Sequence, residues 1–191
     1  IRDLAVGEGH HDLVTSLCVT ADNKIISGSA DGTVRVFDMQ GLPLAVCMGH
    51  ESIVNYVSVT ADNKIISGSD DETVRIWDMQ GNQLAVCRDH GGTVDSVCIS
   101  ADNKIISGSS DGNVRIWDMQ GNLLAVCSGH EAWVVSVCVT QDNKIISGSH
   151  DMTVRVWDMN GNQLAVCAGH EYLVNSVCVT ADNKIVSGSE D

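Results

Sequence analysis

Apolar and polar positions alternate in short runs along the whole chain, and no segment keeps a helical period. Residues 54–60 form a β-branched run. Residues 61–64 (Ala-Asp-Asn-Lys) form a turn, because Asp62 and Asn63 can bond their own backbone. Residues 65–69 are a second strand, Asp71 and Glu72 a tight turn, and 73–78 a third strand. Gln80, Gly81 and Asn82 turn the chain into a fourth strand at 83–87. Four short strands, lettered a to d, joined by three hairpin turns predict a small antiparallel sheet.

This unit repeats. Ala21-Asp22-Asn23-Lys24-Ile25-Ile26-Ser27-Gly28-Ser29 recurs at 61–69 and 101–109. It returns at 141–149 with Gln141 and at 181–189 with Val186, always at an offset of 40. The 191 residues hold about 4.75 such periods. A fixed period of this size predicts units that stack on their neighbours. One repeat domain is expected over 1–191, with sheets near 14–48, 54–88, 94–128 and 134–168. A partial sheet follows at 174–191, and a strand d stands alone at 1–7. An open or incomplete ring follows, and with it a longer parent chain or association of copies that buries the open ends.

Composition narrows the functional classes. Apolar residues make up 43% and aromatics 4%, so Val, Ile, Leu, Ala and Cys must fill the core. The net charge of −14 repels polyanions, which argues against nucleic acid and anionic membrane surfaces as partners. No apolar run approaches the ~20 residues of a membrane span. The eight cysteines are dispersed, which points to a reducing cytoplasmic setting. They fall on strands a and d, roughly 14 Å apart within a sheet. A disulfide needs Cα atoms within about 7 Å, so small buried hydrophobes are expected.

Gly49-His50 opens a unit that closes with Trp77-Asp78, and Trp117-Asp118 and Trp157-Asp158 close the next two at the same offset. With Ser-Gly-Ser-x-Asp ahead of Val-Arg-Ile-Trp-Asp, the chain resembles the WD-repeat β-propeller family over essentially its whole length. That resemblance implies an all-β propeller of four-stranded antiparallel blades, strand a innermost and strand d outermost. It also implies a hydrogen-bonded tetrad in each blade: Asp71, His50, Ser67 and Trp77; Asp111, His90, Ser107 and Trp117; Asp151, His130, Ser147 and Trp157. In the first copy Phe37 replaces the tryptophan and has no N–H to donate, so a weaker tetrad is expected there.

Catalytic and metal chemistry find no foothold. His130-Glu131 and His170-Glu171 begin like a zinc-protease helix, but Val134 and Val174 stand where the second histidine belongs. No nucleophile elbow or phosphate-binding loop occurs. No enzyme activity, cofactor or metal is expected.

Aligning the copies with each other shows where they differ. The loop between strands d and a varies through Glu8, Met48, Arg88, Ser128 and Ala168, then through Glu51, Glu131 and Glu171, and on to Tyr172 and Trp133. The start of strand a varies through Thr15, Asn55, Asp95, Val135 and Asn175. The b–c turn varies through Asp70, His150 and Glu190, and through Glu72 and Met152. The a–b and c–d turns hardly vary. In a meander the d–a and b–c connections share one end, so the variation falls on one face, which the family calls the top. Turn chemistry explains the constancy of Asp22-Asn23 on the other face, but less well that of Lys24 or Gln40.

The constant frame carries 14 acids against nine bases, whereas the variable positions carry ten acids against Arg88 alone. The pattern is similar to WD propellers with near-identical repeats and variable top positions, often recognition modules joined to signalling domains. A non-enzymatic scaffold is expected, presenting an acidic top face to a protein or peptide with a basic patch and an apolar anchor. The expected contacts are Trp133, Tyr172, Glu131, Glu171, Glu51, Asp70, Glu72, Asp95, Arg88, His150 and Met152. A ligand-recognition sensor within a larger signalling protein and a purely structural, self-assembling repeat are the alternatives.

Overall fold

The computed structural model describes residues 9–191, so the strand expected at 1–7 and the variable Glu8 lie outside the described residues. β1 (Val14–Val19), β2 (Lys24–Ser29), β3 (Val34–Asp38) and β4 (Pro43–Cys47) form one antiparallel sheet in chain order. β5 (Val54–Val59), β6 (Ile65–Ser69), β7 (Thr73–Trp77) and β8 (Gln83–Arg88) form the second. β9 (Val94–Ile99), β10 (Ile105–Ser109), β11 (Asn113–Trp117) and β12 (Leu123–Ser128) form the third. β13 (Val134–Val139), β14 (Ile145–Ser149), β15 (Thr153–Trp157) and β16 (Gln163–Ala168) form the fourth. β17 (Val174–Val179) and β18 (Ile185–Ser189) pair alone. The fold is all β, as the alternation predicts, and the described residues do not close a ring. No helix is long and apolar enough to cross a membrane.

The core lies between sheets. One face of the first sheet presents Ile26, Val34, Val36 and Cys47, which pack against Val54, Val57, Ile65 and Trp77 of the second. The same eight positions recur between the second and third sheets and between the third and fourth. Burying an aliphatic side chain of this size stabilises by about 1.5–3 kcal/mol, so each seam is a substantial hydrophobic contribution. The glycine of Ser-Gly-Ser sets the spacing. A Cβ on Gly28 would lie 2.8 Å from Val54 Cγ1 and 3.0 Å from Val57 Cγ1.

The two terminal faces lack such cover among the described residues. Leu17 is 63% exposed, while its counterpart Val57 is 2% exposed. Val186 is 49% exposed, while Ile66 is fully buried. The cysteines divide in the same way. Cys47, Cys87 and Cys127 are buried and Cys18, Cys98 and Cys138 half-buried, but Cys167 and Cys178 are exposed. The expectation of small buried hydrophobes therefore fails for the last two, because they lie where this stacking of full sheets stops. All eight are free thiols.

Two local features bear on function. The a–b ladder shifts register in every sheet at Thr15, Asn55, Asp95, Val135 and Asn175, and such a bulge re-aims the side chain it carries. At the opposite end, Lys24 N–H donates to Thr20 Oγ1 at 2.8 Å, and its ammonium lies 2.9 Å from Asp22. Lys24 thus has a turn role that the sequence reading did not find, and its constancy says less about a quiet face than it did alone.

Candidate protein-interaction face

The top loops are held by a repeated polar hub. Asp71 sits in the turn between β6 and β7, and its carboxylate accepts from His50 Nδ1–H (2.8 Å), Thr73 O–H (2.6 Å) and the Glu51 amide (3.1 Å). His50 Nε2 accepts from Ser67 Oγ at 2.7 Å, and Ser67 in turn accepts from Trp77 Nε1–H at 2.8 Å. Burial alone would raise the Asp71 carboxyl, but the bonds from His50 and Thr73 outweigh it and hold the group well below the usual carboxylate range. Burial keeps His50 and His130 below the ordinary imidazole value, hence neutral. His130, Asp151, Ser147 and Trp157 repeat the arrangement at 2.7–2.8 Å, and Asp151 is lowered to about 2. In the first copy His10 still meets Asp31 and Ser27, while Phe37 brings only a ring 6.4 Å from the imidazole.

The third copy departs from this pattern. His90 Nε2 meets Ser107 Oγ at 2.7 Å and Trp117 Nε1 donates to Ser107 at 2.8 Å, but His90 Nδ1 lies 3.6 Å from Asp111, beyond hydrogen-bond range. Arg115 Nη1 occupies the gap, donating to Asp111 at 2.6 Å and to His90 Nδ1 at 2.7 Å. An acceptor at Nδ1 puts the His90 proton on Nε2, the reverse of His50 and His130.

Above these hubs lie the variable side chains. Trp133 stacks on His150 with ring centroids 5.7 Å apart and 19° between planes, while remaining 54% exposed. The His150 amide donates to the Trp133 carbonyl at 2.9 Å, which fixes the loop to the turn. With Glu131, Trp133 lines a cavity of about 340 Å³ against Ser110, Asp111 and Gly112 of the preceding sheet. Tyr172 and Glu171 are exposed on the next loop, and Met152 is exposed in the turn that carries His150.

Asp70, Asp95 and His150 come from three successive sheets into electrostatic reach of one another. Burial pushes the Asp95 carboxyl up to about 6, and the Asp70 charge adds to the rise. On the preceding sheet, Asn55 Nδ2 occupies the equivalent bulge and donates to Asp70 Oδ1 (2.7 Å) and to the Val94 carbonyl (3.1 Å). Glu51, Glu72 and Arg88 do not join this group. Glu72 and Arg88 line a separate cavity of about 310 Å³ one sheet earlier, and Glu51 is exposed beside Asp71. Glu72 and Met152 adopt φ of 65° and 68°, where the other copies place Gly32 and Gly112 at 77° and 80°. A side chain in this left-handed region costs roughly 1–2 kcal/mol. Among the described residues, no cluster of His, Cys, Asp and Glu is arranged to hold a metal.

The stacking of four-stranded sheets, each tied by its own polar hub, agrees with a comparison of the sequence with known families. The family described as WD domain, G-beta repeat matches residues 2–38, 41–78, 81–118, 121–158 and 161–191. The chain belongs to the WD-repeat family. Among solved structures, this WD-repeat chain is similar to the WD40 β-propeller domain of Doa1, at 29% identity and a TM-score of 0.85. The alignment covers 97% of this chain and 63% of that one, so the chain spans less than two thirds of the solved domain. No curated protein matches it. WD-repeat propellers generally serve as non-enzymatic protein-interaction scaffolds.

Proposed function

We propose that this chain is a non-enzymatic platform that grips a protein or peptide segment carrying a basic patch and an apolar anchor. The exposed Trp133 ring, braced on His150 beside Glu131, carries the reading. A braced indole offers a large rigid contact at small entropic cost, and such aromatics dominate interface energies. Tyr172, Glu171 and Met152 extend the surface, and Asp70 and Asp95 add negative charge. The left-handed Glu72 and Met152 support it too, since strained side chains concentrate where a surface is used. The setting proposed is cytoplasmic, with no nucleic acid or membrane partner. Self-association through the exposed Val14 and Leu17 face is a separate proposal, tested by sedimentation of Leu17→Glu beside wild type.

Labelled Lys/Arg-rich peptides with a central Leu or Met test the main reading, with Glu-for-Lys versions as controls. Trp133→Ala is expected to weaken the basic peptides at least tenfold. Raising salt from about 0.05 M to about 0.5 M is expected to weaken them further, because exposed charges are screened. Equal affinity for acidic and basic peptides, or none lost in Trp133→Ala, would exclude the reading.

A further inference from the structure

We propose that the outer edge of β18 and the cavity beside it bind a tryptophan-bearing β-hairpin of another WD-repeat polypeptide. Among the described residues β18 pairs only with β17, whereas its counterparts β2, β6, β10 and β14 pair on both sides. The cavity holds about 320 Å³ and is lined by Val154, Cys167, Gly169, His170, Ile185 and Ser187. Shifted by three periods, these positions are Val34, Cys47, Gly49, His50, Ile65 and Ser67. Those residues surround the Trp77 indole. Val34, Cys47 and Ile65 pack in its cluster, and a Cβ on Gly49 would lie 3.2 Å from its ring. His50 approaches it edge-on at 5.9 Å, and Ser67 Oγ accepts its N–H at 2.8 Å.

The polar part of this wall is already set. His170 Nε2 meets Ser187 Oγ at 2.8 Å, and His170 Nδ1 meets Asp191 at 3.0 Å, as in the hubs that hold a tryptophan. The apolar part is exposed. Ile185 is 38% exposed, while Ile65, Ile105 and Ile145 are fully buried. An antiparallel strand of the pattern Thr-Val-Arg-Val-Trp would repeat the ladder that pairs Ile65 with Trp77 and Gly68 with Val74. Main-chain bonds along the edge would give affinity, and the indole in its cavity would give specificity. The occupant is thus identified by a wall that three internal seams of this same chain already fill.

The probe is a synthetic peptide with the sequence of residues 151–169, which contains the β15–β16 hairpin, titrated into the 191-residue chain by calorimetry. Amide hydrogen exchange reads which strand gains protection. Saturable binding is expected, with slower exchange at Val186 and Gly188. A peptide carrying Trp157→Ala should lose about thirtyfold or more in affinity, the scale of a buried aromatic anchor. Ile185→Asp in the chain should abolish binding, and it replaces an exposed side chain, so the fold is retained. Ser187→Ala should weaken binding several-fold by leaving the indole N–H unpaired. No binding, protection away from β18, or equal affinity for the Trp157→Ala peptide would overturn the proposal. So would chain dimers that the peptide does not displace, since they would assign the edge to a second copy. Trp133→Ala should leave this titration unchanged, which separates it from the top-face reading.

Discussion

Arg115 lies within 2.6 Å of Asp111, whereas the equivalent Arg75 and Arg155 direct the same nitrogen to Gln83 and Gln163 at 2.7 Å. Two sequence differences account for the change. Leu123 stands at the position of Gln83 and Gln163 and removes the acceptor. Asp89 stands where other copies have glycine, and a Cβ on Gly49 would fall 2.6 Å from Arg75 Nη1. The guanidinium is therefore displaced toward Asp111 and His90, and Asp89 Oδ2 receives its Nε at 3.4 Å. Nitrogen-detected NMR is expected to show His50 and His130 protonated at Nδ1 and His90 at Nε2. The double change Asp89→Gly with Leu123→Gln should convert His90 to the Nδ1 form. A single tautomer shared by all three histidines in the wild type would contradict this account.

Asp95 occupies a bulge where Thr15 and Asn55 donate to the next inner strand, at the Val54 and Val94 carbonyls. A carboxylate cannot donate. Its pKa is raised from 3.8 to about 6, first by burial and then by Asp70, so the folded state favours the neutral acid. The penalty is complete above pH ~6 and disappears as pH falls toward ~4, because the unfolded chain then also binds the proton. Asp95→Asn should stabilise by about 1 kcal/mol at pH ~8, a figure reduced for the group's partial exposure, and by nothing near pH ~4. Urea unfolding at the two pH values checks this, and equal effects at both would contradict it. The same change should weaken a basic ligand, which would explain why an acid is kept there.

Phe37 interrupts the tetrad of the first sheet. His10 and Ser27 remain 2.7 Å apart, and a cavity of about 290 Å³ lies beside the ring, lined by Val14, Leu17 and Ile25 among others. Phe37→Trp should therefore fit and gain about 0.5–1.5 kcal/mol from the new N–H bond to Ser27. The reverse change, Trp117→Phe, leaves Ser107 without that donor and should cost about 1–3 kcal/mol. Denaturant midpoints measure both. A neutral Trp117→Phe would show that the indole acts by volume alone.

Much of this was legible in the sequence because the repeat exposes it. An offset of 40 locates every turn, and a motif that returns in each copy must satisfy the same packing each time. Ser27-Gly28-Ser29 is an example: one serine bonds the histidine, the glycine sets sheet spacing, and the last serine accepts the Asp31 amide at 3.1 Å. What differs between copies was visible as variation but not as geometry. The bulge under Asp95 leaves no trace in the alternation, since the register shift moves no apolar residue. The displacement of Arg115 couples Asp89 to Leu123 across 34 residues, and neither change alone predicts it. Lys24 was misread for a related reason, because its turn role runs through the Thr20 side chain on the preceding strand.

The central functional claim is that binding uses the face of Trp133 and not the face of Lys24. Hydrogen exchange of the chain with and without a saturating Lys/Arg-rich peptide tests it most directly. The account predicts slowed exchange in the loops at 131–133, 150–152 and 171–173, with no change in the turns at 22–24, 62–64 and 102–104. Protection confined to those opposite turns, with the Trp133 loop unaffected, would contradict it.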